Sequence, residues 1–119
     1  MLPAGTRLGP IELGLAASLG AAELRVRRRP RVAVLSTGDE LIEPGQALGP
    51  GQIYNSNRQL LIGWLQRLGC SVVDGGILAD DLALTRAALG ALQDVDLILS
   101  TGGVSVGEAD FLGEALRAE

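Results

Sequence analysis

The chain has 119 residues, 47% of them apolar and 20% charged, with one cysteine and no histidine. This is one domain's worth of material with enough apolar side chains for a core, so disorder over the whole length is excluded. So are a membrane-spanning helix, a signal peptide in residues 1–20, an intrachain disulfide, a histidine base and a histidine- or cysteine-based zinc site.

The net charge of −4 is unevenly placed: residues 1–31 carry six Arg and two Glu, the remainder four Arg and twelve acids, and Lys is absent. A short basic stretch before an acidic body lacks the broad positive surface of a nucleic-acid binder. Neither nucleic acid nor a membrane is expected as a partner, and the lone Cys70 fits a reducing compartment.

Residues 1–9 read as a loop. Pro10 suits a first helical turn, and Ile11, Leu15 and Leu19 recur at intervals of four until Gly20 stops the helix. Residues 23–29 alternate, Leu24 and Val26 against Arg25 and Arg27, which predicts a half-exposed strand. The run Arg27, Arg28, Arg29 reads as a solvated link, with an anion site as the alternative. Val32 to Leu35 is a continuous apolar run, the pattern of a central parallel strand. A loop rich in Gly and Pro then leads to Tyr54. Asn55 and Ser56 can cap a helix whose apolar stripe is Leu60, Leu61, Trp64, Leu65 and Leu68, ended by Gly69. Trp64 reads as a core or interface residue and Cys70 as core filler. A second strand starts at Val72 and Val73. Asp80 or Asp81 caps the next helix, lined by Leu82, Leu89 and Leu92, and a third strand covers 95–99. A last short helix starts near Asp110.

The order from residue 32 is strand, helix, strand, helix, strand, glycine loop, helix. It predicts an α/β fold: a three-layer, open, mostly parallel sheet with helices on both faces. The strands are expected at about 31–36, 71–75 and 95–99. Ligands bind outside the carboxyl ends of such strands. Three polar loops converge there: Thr37, Gly38, Asp39 and Glu40; Asp80 and Asp81; and Ser100, Thr101, Gly102, Gly103, Ser105, Glu108 and Asp110. Taken singly, each aspartate reads as well as a structural residue, Asp80, Asp81 and Asp110 as helix caps and Asp39 in a turn, as it does as a site residue. The 101–105 loop suits phosphate through its glycine amides and hydroxyls, although it is neither a P-loop nor a dinucleotide fingerprint. Carboxylates beside phosphate repel it unless a hard cation such as Mg²⁺ intervenes, so the residues point to a Mg²⁺-assisted site for a phosphorylated ligand.

The stretches 31–45 (RVAVLSTGDELIEPG), 51–58 (GQIYNSNR) and 100–111 (STGGVSVGEADF), with the pair Asp80 and Asp81, resemble the molybdopterin-binding (MoCF-type) domain of the molybdopterin molybdenumtransferase family, which includes bacterial MoeA and the gephyrin E domain. Residues 3–20 (PAGTRLGPIELGLAASLG) resemble the segment leading into that domain. The resemblance implies Mg²⁺-dependent insertion of molybdate into adenylated molybdopterin, in the cytoplasm, by a multidomain homodimer. Glu40, Asp80 and Asp110 match positions linked to activity and are the expected catalytic and metal-holding residues. Gly102, Gly103 and Ser105 match the loop that cradles the pterin phosphate region. Thr37, Gly38, Asp39, Ser100 and Thr101 complete the expected binding set.

The implied division is a leading segment, 1–30, and a molybdopterin-binding domain, 31–119, truncated at its C-terminal end. Its expected partners are the small-molecule substrate, other domains of the full-length protein and a second copy. Alternatives within the same fold are a molybdopterin adenylyltransferase or related nucleotide-pyrophosphate-binding domain, and a non-catalytic interaction or scaffold domain. A binding module that holds the precursor without reacting is a further one. The segment before residue 31 favours the transferase, since the sister proteins begin near the first core strand.

Overall fold

The computed structural model describes residues 2–102. Its elements are α1 (Pro10–Ser18), β1 (Arg31–Thr37), β2 (Leu41–Ile42), β3 (Ile53–Tyr54), α2 (Ser56–Arg67), β4 (Ser71–Leu78), α3 (Leu82–Gly90) and β5 (Leu97–Thr101). The main sheet has the order β4-β1-β5, both pairings parallel. β1 is central because it is apolar on both faces, and Val32 to Ser36 are almost completely buried.

Alternation along β1 sends successive side chains to opposite faces and builds two cores. On one face Val32 and Val34 pack with Leu65 of α2, and Leu61, Ile62, Cys70, Val72 and Leu99 close the cluster. On the other face Leu35 packs with Leu89 of α3, beside Leu78, Leu82, Leu92 and Ile98. Burial of a side chain such as Leu35 contributes about 1.5–3 kcal/mol. The result is the three-layer arrangement, helix on each face of a parallel sheet, and Cys70 is half-buried core filler at the amino edge of β4.

β4 carries one irregularity. Val34 pairs with Asp74, but Ser36 pairs with Ile77, so two residues, Gly75 and Gly76, oppose Leu35 alone. A Cβ on Gly75 would overlap Leu35 Cδ2 and lie 3.1 Å from the Val34 carbonyl oxygen, so only glycine fits against this buried leucine.

Four expectations need correction. Residues 23–29 form no strand: every one is exposed and pairs with no described strand, so the alternation marks two faces without a sheet to join. The interval-of-four residues of α1 are not its packed side; Ile11 and Leu19 are largely exposed, and Ala16 is the buried residue. The α2 stripe is split: Leu61 and Leu65 face the sheet, while Leu60, Trp64 and Leu68 lie outward, with the Arg67 guanidinium 5.6 Å from the Trp64 ring centroid. The glycine- and proline-rich loop contains a small parallel pair, β2 with β3, that joins Leu41 to Ile53 and Ile42 to Tyr54.

The third core strand also starts later than expected, at Leu97, and runs through Thr101. Arg28 is not simply solvated: it forms a two-pronged ion pair with Asp96, which also accepts from the Arg31 N–H. These three bonds hold the Asp96 carboxyl down at about 2, against an ordinary 3.8, with the Arg28 side chain the largest cause. The helix expected near Asp110 lies outside the described residues.

Candidate functional site

Because the three strands are parallel, β1, β4 and β5 deliver their following loops to one edge. β1 ends at Thr37 and β5 at Thr101, paired through Ser36. The loop after β1 turns back at once: the Leu41 N–H donates to the Gly38 carbonyl at 3.2 Å. The β2–β3 pair then returns the chain. The Ile53 N–H donates to the Glu40 carbonyl at 2.8 Å and the Asn55 N–H to the Ile42 carbonyl at 3.0 Å. This places the first turn of α2 beside the end of β1.

The outcome is a cleft of about 210 Å³ lined by Thr37, Glu40, Leu41, Ile53, Tyr54, Asn55, Ser56, Asn57, Thr101 and Gly102. Of the expected site residues, Thr37, Glu40, Thr101 and Gly102 share it. Gly38 adjoins it and lies against the Glu40 carboxylate. Asp39 and Asp80 stand at the same edge but do not line the cleft; the Asp80 N–H donates to Asp39 Oδ1 at 3.2 Å, tying the β1 and β4 loops together. Asp81 is the cap of α3, its Oδ1 accepting from the Leu84 N–H at 2.9 Å, which leaves Asp80 free of that task. Ser100 is paired in register with Leu35 within β5 and is not a lining residue. Gly103, Ser105, Glu108 and Asp110 lie outside the described residues.

Beneath the cleft runs a buried polar chain. Thr101 Oγ1 donates to Ser36 Oγ at 3.0 Å, and Ser36 Oγ donates to Asn55 Oδ1 at 3.3 Å. Ser36 is fully buried and Asn55 is 2% exposed. Asn55 is thus the backbone cap of α2, but its side chain bonds none of the first-turn amides. Two buried atoms at the cleft, Thr37 Oγ1 and Asn55 Nδ2, have no hydrogen-bond partner among the described residues.

Arg58, in the first turn of α2, is 9% exposed and pairs with Glu43 from the loop and with Asp74 of β4, the latter at 3.3 Å. A buried guanidinium is tolerated because two carboxylates meet it, and the pairing pins the 41–54 loop and α2 to the sheet.

Among the described residues no group of three or more carboxylate or thiol side chains assembles as a metal cage. Glu40 is the only acid lining the cleft among the described residues. That donor set fits Mg²⁺, which keeps several waters and binds through one or two carboxylates plus substrate phosphates.

The helix-start pattern marks Asn55 and Ser56 only as caps, and no periodicity assigns Ser36 or Arg58 a role. The signal for the site was the position of Asn55, Ser56 and Asn57 at a helix start directly after a loop from the carboxyl end of the central strand.

The family described as a probable molybdopterin binding domain matches residues 33–119. Molybdopterin molybdenumtransferase of Haemophilus influenzae is 48% identical over 118 residues, which is 98% of this chain and 29% of that protein. Molybdopterin molybdenumtransferase 2 of Mycobacterium tuberculosis is 46% identical over 112 residues, 93% of this chain and 28% of that protein. The crystal structure of the molybdopterin biosynthesis MoeA protein from Pyrococcus horikosii superposes with a TM-score of 0.79 at 33% identity, covering 96% of this chain and 28% of that one. The chain therefore spans under a third of the length of these relatives.

Proposed function

We propose a substrate-binding role in molybdenum cofactor biosynthesis for this chain, because it belongs to the molybdopterin-binding domain family. In this reading it is the part of a molybdopterin molybdenumtransferase that holds adenylated molybdopterin while molybdate is inserted. The observation that carries it is the cleft itself. Thr37, Glu40, Thr101 and Gly102 meet there with the start of α2, and two buried polar atoms at the cleft lack partners among the described residues.

The roles follow from placement. Thr37, Thr101 and the amides around Gly38 and Gly102 bind and orient the phosphate-bearing part of the substrate, and Gly103 and Ser105 share that role. Asp39 positions Asp80 by holding its backbone N–H. Glu40 at the cleft wall, with Asp80 and Asp110, holds Mg²⁺ and the molybdate end. Mg²⁺, when bound, offsets the repulsion between these carboxylates and the anionic substrate. The two-part division, residues 1–30 leading into a domain at 31–119, is supported by the family match beginning at residue 33. Similarity to the transferases across 98% of the chain includes the leading segment and favours that activity over the sister adenylyltransferase. Other domains of a full-length protein, a second copy as homodimer partner, and a cytoplasmic setting belong to the same reading. No helix among the described residues is long and apolar enough to cross a membrane.

The test pairs binding with activity. The chain should bind molybdopterin saturably, followed by pterin fluorescence. Glu40→Gln, Asp80→Asn and Asp110→Asn in the full-length enzyme should lose molybdate insertion while retaining the fold. Full activity in all three variants would remove the catalytic and metal roles; absence of molybdopterin binding to any form would remove the function.

A further inference from the structure

We infer that Arg58 is a positioning residue for the cleft: it clamps the segment that carries Glu40 to β4 and lies outside the cleft lining itself. The inference deepens the function proposed above and rests on it, since what the clamp sets is the place of an acid in that site.

The segment has few other anchors. Residues 40–54 leave the end of β1, form the β2–β3 pair and return to α2, and none of them belongs to either apolar core. Glu40 itself is exposed. Among the described residues the side-chain hydrogen bonds of this segment stay within it, from the Gly49 N–H to Gln52 and from the Tyr54 hydroxyl to the Gln46 carbonyl, with one exception: Glu43 accepts from Arg58. The Glu40 carbonyl accepts from the Ile53 N–H, so a tether at Glu43 holds both strands of the small pair.

Arg58 has the chemistry for that task. One terminal nitrogen meets Glu43 and the other meets Asp74 at 3.3 Å, while Nε is buried without a partner among the described residues. The fork is divided between two segments, where recognition of one carboxylate would place two parallel bonds on it. The other oxygen of Asp74 accepts from the Gly76 N–H at 3.0 Å, which ties the clamp to the bulge of β4. A guanidinium stays charged and offers donors in a rigid fork, so it bridges two carboxylates that repel each other without it. Its removal both frees the segment and leaves Glu43 facing Asp74 as a like charge. Arg58 does not line the cleft, so it acts there through the placement of Glu40, Ile53 and Tyr54, which do.

The experiment compares Arg58→Met, Glu43→Gln and the double variant with wild type. Arg28→Met, which breaks the ion pair with Asp96 away from the cleft, is the control. In the full 119-residue chain, hydrogen exchange of the Ile53 and Asn55 amides should quicken relative to the β1 amides. About 10-fold is expected in Glu43→Gln, the worth of a hydrogen bond to a charged group, and no change in the control. In the full-length enzyme, kcat for molybdate insertion should fall about 100-fold in Arg58→Met, as for a group displaced by about 1 Å, with KM for adenylated molybdopterin unchanged. The double variant should lose no more than Arg58→Met alone, because it also removes the repulsion. Glu43 is 37% exposed at its side chain, so Glu43→Gln carries the test if Arg58→Met does not fold.

A raised KM with unchanged kcat would make Arg58 a substrate-binding group and overturn the clamp. Additive losses in the double variant, or unchanged exchange at Ile53 and Asn55, overturn it too, and all three results leave the proposed function standing. Quickened exchange at these amides in a protein whose wild type inserts no molybdate supports the clamp and removes the function.

Discussion

Gly102→Ala isolates the packing of the cleft floor. Gly102 sits at φ +87, where an alanine costs about 1–2 kcal/mol of backbone strain. Its added Cβ would also overlap the Thr37 carbonyl oxygen and lie 2.9 Å from Thr37 Oγ1. The obstacle is backbone of the central strand, which cannot rotate aside, so the β1 and β5 ends must separate. Overpacking of this kind costs about 1–3 kcal/mol more. The total is about 2–5 kcal/mol.

Gly45→Ala is the control. Gly45 has φ +98 with no atom within 4 Å of the added Cβ, so it carries the strain without the overlap. Each kcal/mol moves the Tm of a domain of this size by about 4 °C. Thermal unfolding followed by circular dichroism should therefore show a loss of about 4–8 °C for Gly45→Ala and about 8–20 °C for Gly102→Ala. Equal losses in the two variants would refute the close approach of Gly102 to Thr37.

Two further outcomes follow from contacts at the two edges of the sheet. The Asp96 carboxyl is depressed from 3.8 to about 2 by Arg28 and by the Arg31 N–H, so its contribution to stability is complete above pH 4 and is lost as pH falls toward 2; Asp96→Asn should flatten the acid limb of a urea-midpoint profile over that window, and an unchanged limb would dismiss the pair. At the α3 cap, Asp81→Ala should cost about 1 kcal/mol through loss of the bond to the Leu84 N–H, whereas Asp80→Ala should leave helix stability unchanged, both read by urea denaturation.

What could be read before the fold was the sheet. Val32 to Leu35 declared a strand buried on both faces, and Gly69, Val72 and the leucines after Asp81 placed the helices around it. What could not be read shares one physical cause: a pattern states which side of a segment is apolar, never what covers it. Leu24 and Val26 alternate with arginines as an edge strand would, but no strand pairs with them among the described residues. Leu60, Trp64 and Leu68 continue the α2 stripe at helical spacing and still point outward. β2 and β3, two residues each, are too short to show a period at all. Within the site, Thr37, Glu40, Thr101 and Gly102 were legible from strand ends. Asn55 was legible only as a cap, because the same side chain can serve a helix start or a neighbouring strand and only the tertiary structure places Ser36 within its reach.

The doubled glycine opposite Leu35 also makes β4 a strand that counts its residues. Before it, Asp74 shares a face with Val34 and so reaches Arg58; after it, Leu78 pairs with Thr37 and joins the Leu35 and Leu89 core. The extra residue is the half-step that lets both statements hold. If the two glycines paired regularly, without the bulge, every side chain beyond them would change layer, Leu78 toward α2 and Ile77 toward α3; losing one glycine instead leaves both where they are. Losing one residue from the exposed stretch 45–51 transfers no side chain between layers. Either deletion therefore preserves both layers, and what β4 cannot accept is regular pairing of both its glycines.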